Sequence, residues 1–369
     1  MPVSLRSRVT DWTLVVPLLA VGVLALTWGR ELPPLTVVIV AVFLAGAVLA
    51  AVHHAEVVAH RVGEPFGSLV LAVAVTVIEV ALIVTLMISG GDKTQSLARD
   101  TVFAAVMITC NGILGLSLLL GALRRRVAVF NPEGTGGALA TVATLATLSL
   151  VVPTFTTSRP GPEFSPAQLA FAAVASLALY GLFVLVQTGR HRDYFLPVAA
   201  DGRTVADADG DGHADPPSAR AALTSLALLV VALVAVVGLA KMVSPAIESG
   251  VSAANLPQAF VGVVIALLVL LPETLAAARA ARRDRVQISL NLALGSAMAS
   301  IGLTIPAIAI ASIWLDGPLL LGLGGTQLAL LALTVVTGVL TVVPGRATLL
   351  QGGVHLVLLA AFVFLAASP

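Results

Sequence analysis

The sequence predicts an all-α polytopic membrane protein of about eleven transmembrane helices, and three observations carry that prediction. Hydrophobic residues make up 58% of the 369 residues and charged residues only 11%, with a mean hydropathy of +1.04. Apolar stretches long enough to span a bilayer recur along the whole chain. Lys and Arg concentrate in alternate loops, as expected where short cytoplasmic loops retain positive charge. The bilayer is therefore the expected solvent for most of the chain.

A transmembrane helix needs about 20 mostly apolar residues, and charges together with Gly and Pro clusters divide the chain into eleven such segments. They span residues 12–29, 35–54, 66–89, 101–120, 137–153, 165–187, 221–241, 256–277, 287–312, 318–343 and 348–367. The first segment is expected to be a retained helix, because Pro17 interrupts it and no small-residue cleavage pattern follows.

The placement of charge also predicts orientation and internal symmetry. With the N-terminus in the cytoplasm, 15 of the 20 Lys and Arg lie on the inner side, which favours an N-in, C-out topology. One long polar linker separates two groups of five segments that begin on opposite faces, as in inverted-topology repeats. The predicted organisation is an extra N-terminal helix at 1–30, a first repeat at 31–188, an acidic cytoplasmic linker at 189–220 and a second repeat at 221–369.

Two features of the composition exclude other classes of protein. The net charge of +1 leaves no basic surface able to neutralise many phosphates, so nucleic acid is not an expected partner. Cys110 is the single cysteine, which excludes an internal disulfide and a CxxC metal site. The lipid bilayer is an expected partner, and no cofactor is expected.

The second segments of the two five-segment groups contain matching stretches of sequence. Each stretch ends on a glutamate. The stretch from Glu64 to Glu79 aligns without gaps with the stretch from Gln258 to Glu273. Each stretch is followed by a loop with an aspartate and then by a segment rich in small and polar residues. The two aspartates are Asp100 and Asp284. The pattern supports a sequence repeat.

An ionised carboxylate in mid-membrane costs about 2.5 to 3.5 kcal/mol, so Glu79 and Glu273 need a compensating charge. The interiors of the predicted segments contain no Lys or Arg, and the compensating charge should then be mobile, either a proton or a metal cation. If the repeats bring the two glutamates together, protons and a divalent cation compete for them. Such competition predicts an antiporter, with inorganic cations and protons as its partners. The alternative is a pair of protonated carboxylic acids hydrogen-bonded within a helix bundle.

Ca2+ takes about six to eight oxygen ligands, of which two carboxylates supply at most four. Candidates for the remainder are the carbonyl of Leu268 and the side chains of Thr76, Asn111, Ser296 and Ser300. Pro272 has no N–H to bond the Leu268 carbonyl, and Thr76 shares a helix face with Glu79. Asn111 and Ser296 fit an interhelical hydrogen bond equally well.

Polar residues near the inner end of the second segment form a further candidate group. His53, Glu56 and His60 share one helix face by their spacing. They fit interface residues, a proton or cation entry path, or a metal site. Glu64 belongs with them as an entry residue or as an acidic residue in a helix's first turn.

The acidic linker resembles part of a calcium-binding loop. Asp207, Asp209 and Asp211 match the opening of an EF-hand loop, and Asp215 stands at its ninth place. Ser218 occupies the twelfth place, where a bidentate glutamate belongs. The segment fits either a solvated linker or a weak regulatory cation site.

Four motifs together resemble the calcium/cation antiporter superfamily, and within it the bacterial Ca2+/H+ antiporter branch. They are Gly63-Glu-Pro-Phe-Gly, Thr-Val-Ile-Glu79, Leu-Leu-Pro-Glu273 and Gly295-Ser-Ala-Met-Ala-Ser-Ile-Gly-Leu-Thr-Ile-Pro306. The resemblance covers segments 2 to 11. It implies that Glu79 and Glu273 bind the cation and are protonated in turn.

One departure from that family bears on the choice of ion. Family members often carry Gly-Asn-Ala-Xaa-Glu around these glutamates, where this chain has Val75-Thr-Val-Ile-Glu79 and Val269-Leu-Leu-Pro-Glu273. The expected function is a Ca2+/H+ antiporter of a bacterial inner membrane, and not an enzyme. The alternatives are a Na+(K+)/H+ antiporter of the same fold and an intramembrane enzyme or sensor.

Overall fold

The computed structural model describes residues 5–30, 32–63, 66–90, 95–196, 198, 217–314 and 317–369. Within this part, nine helical segments are long and apolar enough to cross a membrane, a bent pair makes a tenth, and a shorter apolar helix covers Trp12–Thr27. Each of the eleven predicted segments overlaps one of these. The prediction of an all-α polytopic membrane protein is therefore confirmed.

The helices follow one another with few other elements between them. They are α1 (Leu5–Thr27), α2 (Pro34–Val62), α3 (Phe66–Gly90), α4 (Leu97–Met107), α5 (Leu114–Arg125), α6 (Pro132–Ala146), α7 (Val152–Phe155), α8 (Pro166–Leu185), α9 (Ala219–Ala253), α10 (Phe260–Val269), α11 (Leu271–Arg282), α12 (Val286–Ala311), α13 (Gly325–Val342) and α14 (Leu349–Ala367). π-helical turns at Ile108–Ile113, Thr147–Val151 and Val186–Arg190 continue α4, α6 and α8, and a 3-10 turn covers Arg192–Phe195.

One compact unit contains α1, α2, α3 and α9. α2 and α9, the first helices of the two predicted repeats, pack along each other, and α3 lies against both. The two halves of the chain therefore interleave in this unit. Nε2 of His54 donates a hydrogen bond to the carbonyl of Thr13 over 2.9 Å, which joins α2 to α1.

The seventh segment is longer than its prediction. The sequence suggested an end at Lys241, but α9 continues to Ala253. The Lys241 ammonium lies 5.4 Å from the centre of the Trp28 ring, and such a cation–π contact stabilises a lysine at a membrane interface. Lys241, the last residue of the predicted segment 221–241, therefore lies inside α9.

The second compact unit contains α4 to α8 and α10 to α14. Contacts between its loops test the predicted number of membrane crossings. Two loops that touch must lie on the same side of the membrane, so an even number of spans must separate them. β1 (Ala128–Val129) pairs antiparallel with β2 (Arg346–Ala347), and both belong to loops assigned to the inner face. An isolated bridge joins Glu163, in a predicted outer loop, to Leu320. Leu320 lies in the loop between α12 and α13, because α13 begins at Gly325 and not at residue 318 as predicted. The contacts agree with the predicted alternation of loops within this unit.

Two helix pairs of this unit pack through the same kind of contact. A Cβ added to Gly115 of α5 would lie 2.8 Å from Cβ of His355 on α14. A Cβ added to Gly302 of α12 would lie 2.7 Å from Cβ of Tyr180 on α8. The two pairs occupy corresponding places in the predicted repeats, and only glycine permits so close an approach. The packing agrees with an inverted repeat.

Candidate functional site

The first candidate carboxylate lies in the interior of α3. Glu79 exposes 4% of its surface and Thr76, three residues earlier, exposes 6%. Val77, between them, is exposed at 44%. The helix therefore turns the Thr76 and Glu79 face inward, as the spacing predicts. In its own unit, α3 packs against α2 and α9.

The second candidate carboxylate lies at a break between two helices. α10 ends at Val269, α11 begins at Leu271, and the two axes differ by 55°. The sequence predicts one segment over 256–277, and the structure divides it into two helices at Leu270. Pro272 has no N–H to donate back along the chain and its ring clashes with the carbonyl one turn earlier, which breaks a helix.

The break gives Glu273 a special electrostatic position. It lies in the first turn of α11, where unpaired N–H groups and the helix dipole stabilise negative charge. The Leu268 carbonyl lies two residues before the break, and its usual partner at position 272 is proline. Discontinuous helices of this kind hold ions in many transporters, because helix ends supply unpaired backbone groups.

A chain of hydroxyl groups fixes α11 against its neighbours. Ser289 of α12 donates a hydrogen bond to the carbonyl of Ala277 over 2.7 Å, one turn after Glu273. Its oxygen lies 2.5 Å from the hydroxyl of Ser117 on α5. Both serines are fully buried. α11 is therefore tied to α12 and α5 close to the position of Glu273.

Ser296 and Ser300 lie on the same face of α12 as Ser289, at spacings of seven and eleven residues. Because Ser289 faces α11, this face of α12 is the one directed towards that helix. Ser300 is buried and Ser296 is half-buried. Their role as cation ligands stays a prediction.

Asn111 lies in the π-helical turn Ile108–Ile113, and its amide is engaged by other helices. Nδ2 donates to the hydroxyl of Thr334 on α13 over 3.0 Å. Oδ1 lies 3.1 Å from Nδ1 of His355 on α14. The interhelical hydrogen bond considered from the sequence is what the structure contains, and a ligand role for Asn111 stays a prediction. Sequence reasoning missed His355, whose one signal was a histidine in an apolar span.

The histidine group on α2 is less buried than Glu79. His53 is half-buried, and Glu56 and His60 are exposed, so these residues are accessible as an entry path requires. In the described part of the chain, no three His, Cys, Asp or Glu side chains come together as a metal site. Glu64 and the linker residues Asp207, Asp209, Asp211 and Asp215 lie outside the described residues.

The aspartates of the two matching loops lie in ion pairs. Asp100 is buried in the first turn of α4 and accepts hydrogen bonds from Nε of Arg99 at 2.8 Å and from the Ser96 hydroxyl at 2.9 Å. Asp284 accepts from Nε of Arg125 at 3.1 Å and is partly exposed. Arg99 therefore balances the charge of Asp100, and Arg125 that of Asp284.

The chain is similar to known exchangers along nearly its whole length. It matches the sodium/calcium exchanger protein family over residues 32–189 and 224–367. The protein y4hA of Sinorhizobium fredii, which is named as a proposed ionic transporter, is 47% identical over 370 residues, covering 98% of each chain. The sodium-potassium/proton antiporter ChaA of Escherichia coli is 34% identical over 363 residues, covering 98% of this chain and 97% of that protein.

A solved structure shares the fold at low sequence identity. The crystal structure of the H+/Ca2+ exchanger CAX has a TM-score of 0.69 and 14% identity, covering 96% of this chain and 91% of that one. This agreement concerns the fold alone, because so low an identity does not carry substrate or residue roles across.

Proposed function

The chain belongs to the sodium/calcium exchanger family, and we propose that it is an antiporter that exchanges a cation for protons, with Ca2+ as the first candidate. The observation that carries the proposal is the pair of glutamates at matching repeat positions. Glu79 is buried inside α3, and Glu273 lies in the first turn of the broken span. Each offers a negative charge that a proton or a metal cation can neutralise.

The proposed cycle is an alternation of access. An inward-facing state binds the cation through the carboxylates of Glu79 and Glu273, reorients, and releases the cation outside as protons replace it. Both carboxylates are charged when the cation is bound and neutral when protonated, so the membrane interior never holds two bare charges. The hydroxyls of Thr76, Ser296 and Ser300 and the Leu268 carbonyl are proposed as further oxygen ligands.

A second cation class is favoured by a specific observation. ChaA, 34% identical across nearly the whole chain, is named for sodium and potassium exchange. In addition, the Asn111 amide already has partners on α13 and α14, which leaves fewer neutral oxygens for Ca2+. Exchange of Na+ or K+ for protons is therefore the second candidate.

The class of protein, its membrane and its orientation are also part of the proposal. Family membership favours transport over an intramembrane enzyme or sensor. The bacterial relatives favour a bacterial inner membrane, and the N-in orientation rests on the placement of Lys and Arg.

The test is a panel of cations on purified protein in proteoliposomes that contain a pH-sensitive dye. Addition of Ca2+ outside should drive protons out of the vesicles with saturable kinetics, and protein-free vesicles should not respond. A response to Na+ or K+ that persists with a Ca2+ chelator would establish the second candidate. The proposal fails if no cation in the panel moves protons.

A further inference from the structure

A buried polar network surrounds His355 in the second unit, and the exchange cycle proposed above does not use it. His355 exposes 1% of its surface and Asn111 none. Thr334 and Thr341 of α13, at 2% each, complete the network. Its members come from three elements far apart in sequence, which are the π-helical turn Ile108–Ile113, α13 and α14.

The direction of each hydrogen bond follows from the chemistry of the groups. The Asn111 amide nitrogen can only donate, and its neighbours are the Thr334 hydroxyl at 3.0 Å and the Met107 sulfur at 3.8 Å. Its oxygen must then accept, from Nδ1–H of His355 at 3.1 Å. Nε2 of the neutral imidazole accepts from the Thr341 hydroxyl at 3.1 Å. Both imidazole nitrogens and both ends of the amide therefore have partners.

Close helix packing fixes the position of the imidazole. A Cβ on Gly115 would lie 2.8 Å from Cβ of His355, and a Cβ on Gly352 would lie 2.8 Å from the backbone nitrogen of Leu119. Only glycine at both positions lets α5 and α14 approach in this way. His355 consequently has little room to change its rotamer.

A further hydroxyl stabilises the start of the π-helical turn. The Thr109 hydroxyl donates to the carbonyl of Ala105 at 2.7 Å. Such side-chain bonds occupy carbonyls that an irregular helix leaves poorly paired. The turn also contacts α11, the helix that begins beside Glu273. It therefore lies between the His355 network and the helix of the candidate carboxylate.

We propose that His355 is a positioning residue for cation exchange, acting through Asn111 to hold the π-helical turn that supports α11. It does not touch the ion. A π turn contains one residue more than the corresponding α-helical path, so its relaxation would rotate the flanking helix by about 100° and shift it by about 1.5 Å. That change would displace the surface on which α11 rests. This inference depends on the proposed role of Glu273.

The structure offers a matched control. Tyr180 packs on Gly302 as His355 packs on Gly115, and the residue four positions before each glycine is Met298 in one case and Asn111 in the other. Met298 has no amide to be held. His355→Phe and Tyr180→Phe therefore both leave an aromatic ring in a glycine-packed site, and only the first removes a hydrogen bond to an amide.

The experiment measures the half-saturating cation concentration and the maximal exchange rate of each variant in the vesicle assay. Only variants whose size-exclusion profile and melting temperature show that they are folded are compared. His355→Phe should raise the half-saturating concentration roughly ten-fold, which corresponds to about 1.4 kcal/mol. Tyr180→Phe should change it by less than about two-fold, and His355→Gln, which restores an N–H donor, should recover most of the loss. The double variant Asn111→Leu/His355→Phe should have a half-saturating concentration no higher than that of the poorer single variant.

Several results would overturn the inference. A folded His355→Phe protein with unchanged half-saturation removes it, and so does strict additivity in the double variant. If His355→Phe does not fold, Thr341→Val decides the matter, with a rise of roughly three-fold expected and no change counting against the inference. Retention of exchange by Glu273→Gln in the same vesicles would instead refute the proposed function, so the two failures are distinguishable.

Discussion

Two spans carry the candidate glutamates, and their backbones differ. α3 continues unbroken from Phe66 to Gly90 with Glu79 in its interior, whereas the matching span divides into α10 and α11 with a bend of 55°. The two stretches align without gaps, and the residue before the glutamate is Ile78 in one and Pro272 in the other. A proline breaks a helix interior by removing a hydrogen bond and by steric clash. One side chain thus accounts for the difference.

The difference gives the two carboxylates unequal surroundings. Glu273 lies in the first turn of a helix, where the dipole stabilises negative charge by about 0.3 to 1 kcal/mol, and by up to about 2 kcal/mol when partly buried. Glu79 lies in the interior of α3, well away from that helix's own first turn. A sequence repeat therefore does not make the two carboxylates equivalent.

The largest effect is expected from making α3 resemble the broken span. Ile78→Pro should cost about 3 kcal/mol or more, because proline disrupts a continuous helix, and the melting temperature in detergent should fall with loss of exchange. Ile78→Val is the control, with an expected cost of at most about 1.5 kcal/mol. If Ile78→Pro were as stable as the parent, α3 would not need to be continuous.

The next effect comes from the reverse change. Pro272→Ile should favour a continuous helix through residue 270 and remove the helix terminus from Glu273. The exchange rate should fall roughly ten-fold, equivalent to about 1.4 kcal/mol, while the melting temperature stays the same or rises because a helix-breaking residue is lost. Full exchange by this variant would show that the break has no part in transport.

A smaller effect is expected at Thr76. It shares the inward face of α3 with Glu79, and the aligned residue in the second repeat is Leu270, which has no hydroxyl. Thr76→Val keeps the shape and removes one oxygen. The half-saturating cation concentration should rise roughly three-fold, with the maximal rate little changed. An unaltered value would remove Thr76 from the proposed ligands.

The sequence was sufficient for the parts of the fold that depend on local composition. Apolar length and charge placement predicted all eleven segments, and repeat alignment selected Glu79 and Glu273. The break at Leu270 is not predicted, because a proline can free the Leu268 carbonyl with or without dividing the helix. The predicted end of the seventh segment at Lys241 is too early, because a lysine normally marks a segment boundary and its contact with Trp28 joins residues far apart in the sequence.

The His355 network was beyond sequence reasoning for a different reason. Its central hydrogen bond joins residues 244 positions apart, and no local pattern encodes such a pairing. The π-helical turn that presents Asn111 likewise depends on tertiary packing, since its one glycine, Gly112, fits an ordinary small-residue helix face equally well.

The central claim is that both glutamates are required for exchange of a cation for protons, and paired glutamine variants test it most directly. In proteoliposomes with matched protein insertion, Glu79→Gln and Glu273→Gln should each lower cation-driven proton flux by roughly 100-fold. Glu248→Gln is the control, because Glu248 lies on α9 outside the matched pair, where it accepts a hydrogen bond from Ser244 at 3.2 Å. Its flux should stay within about two-fold of the parent. Wild-type flux from either folded paired variant would contradict the account.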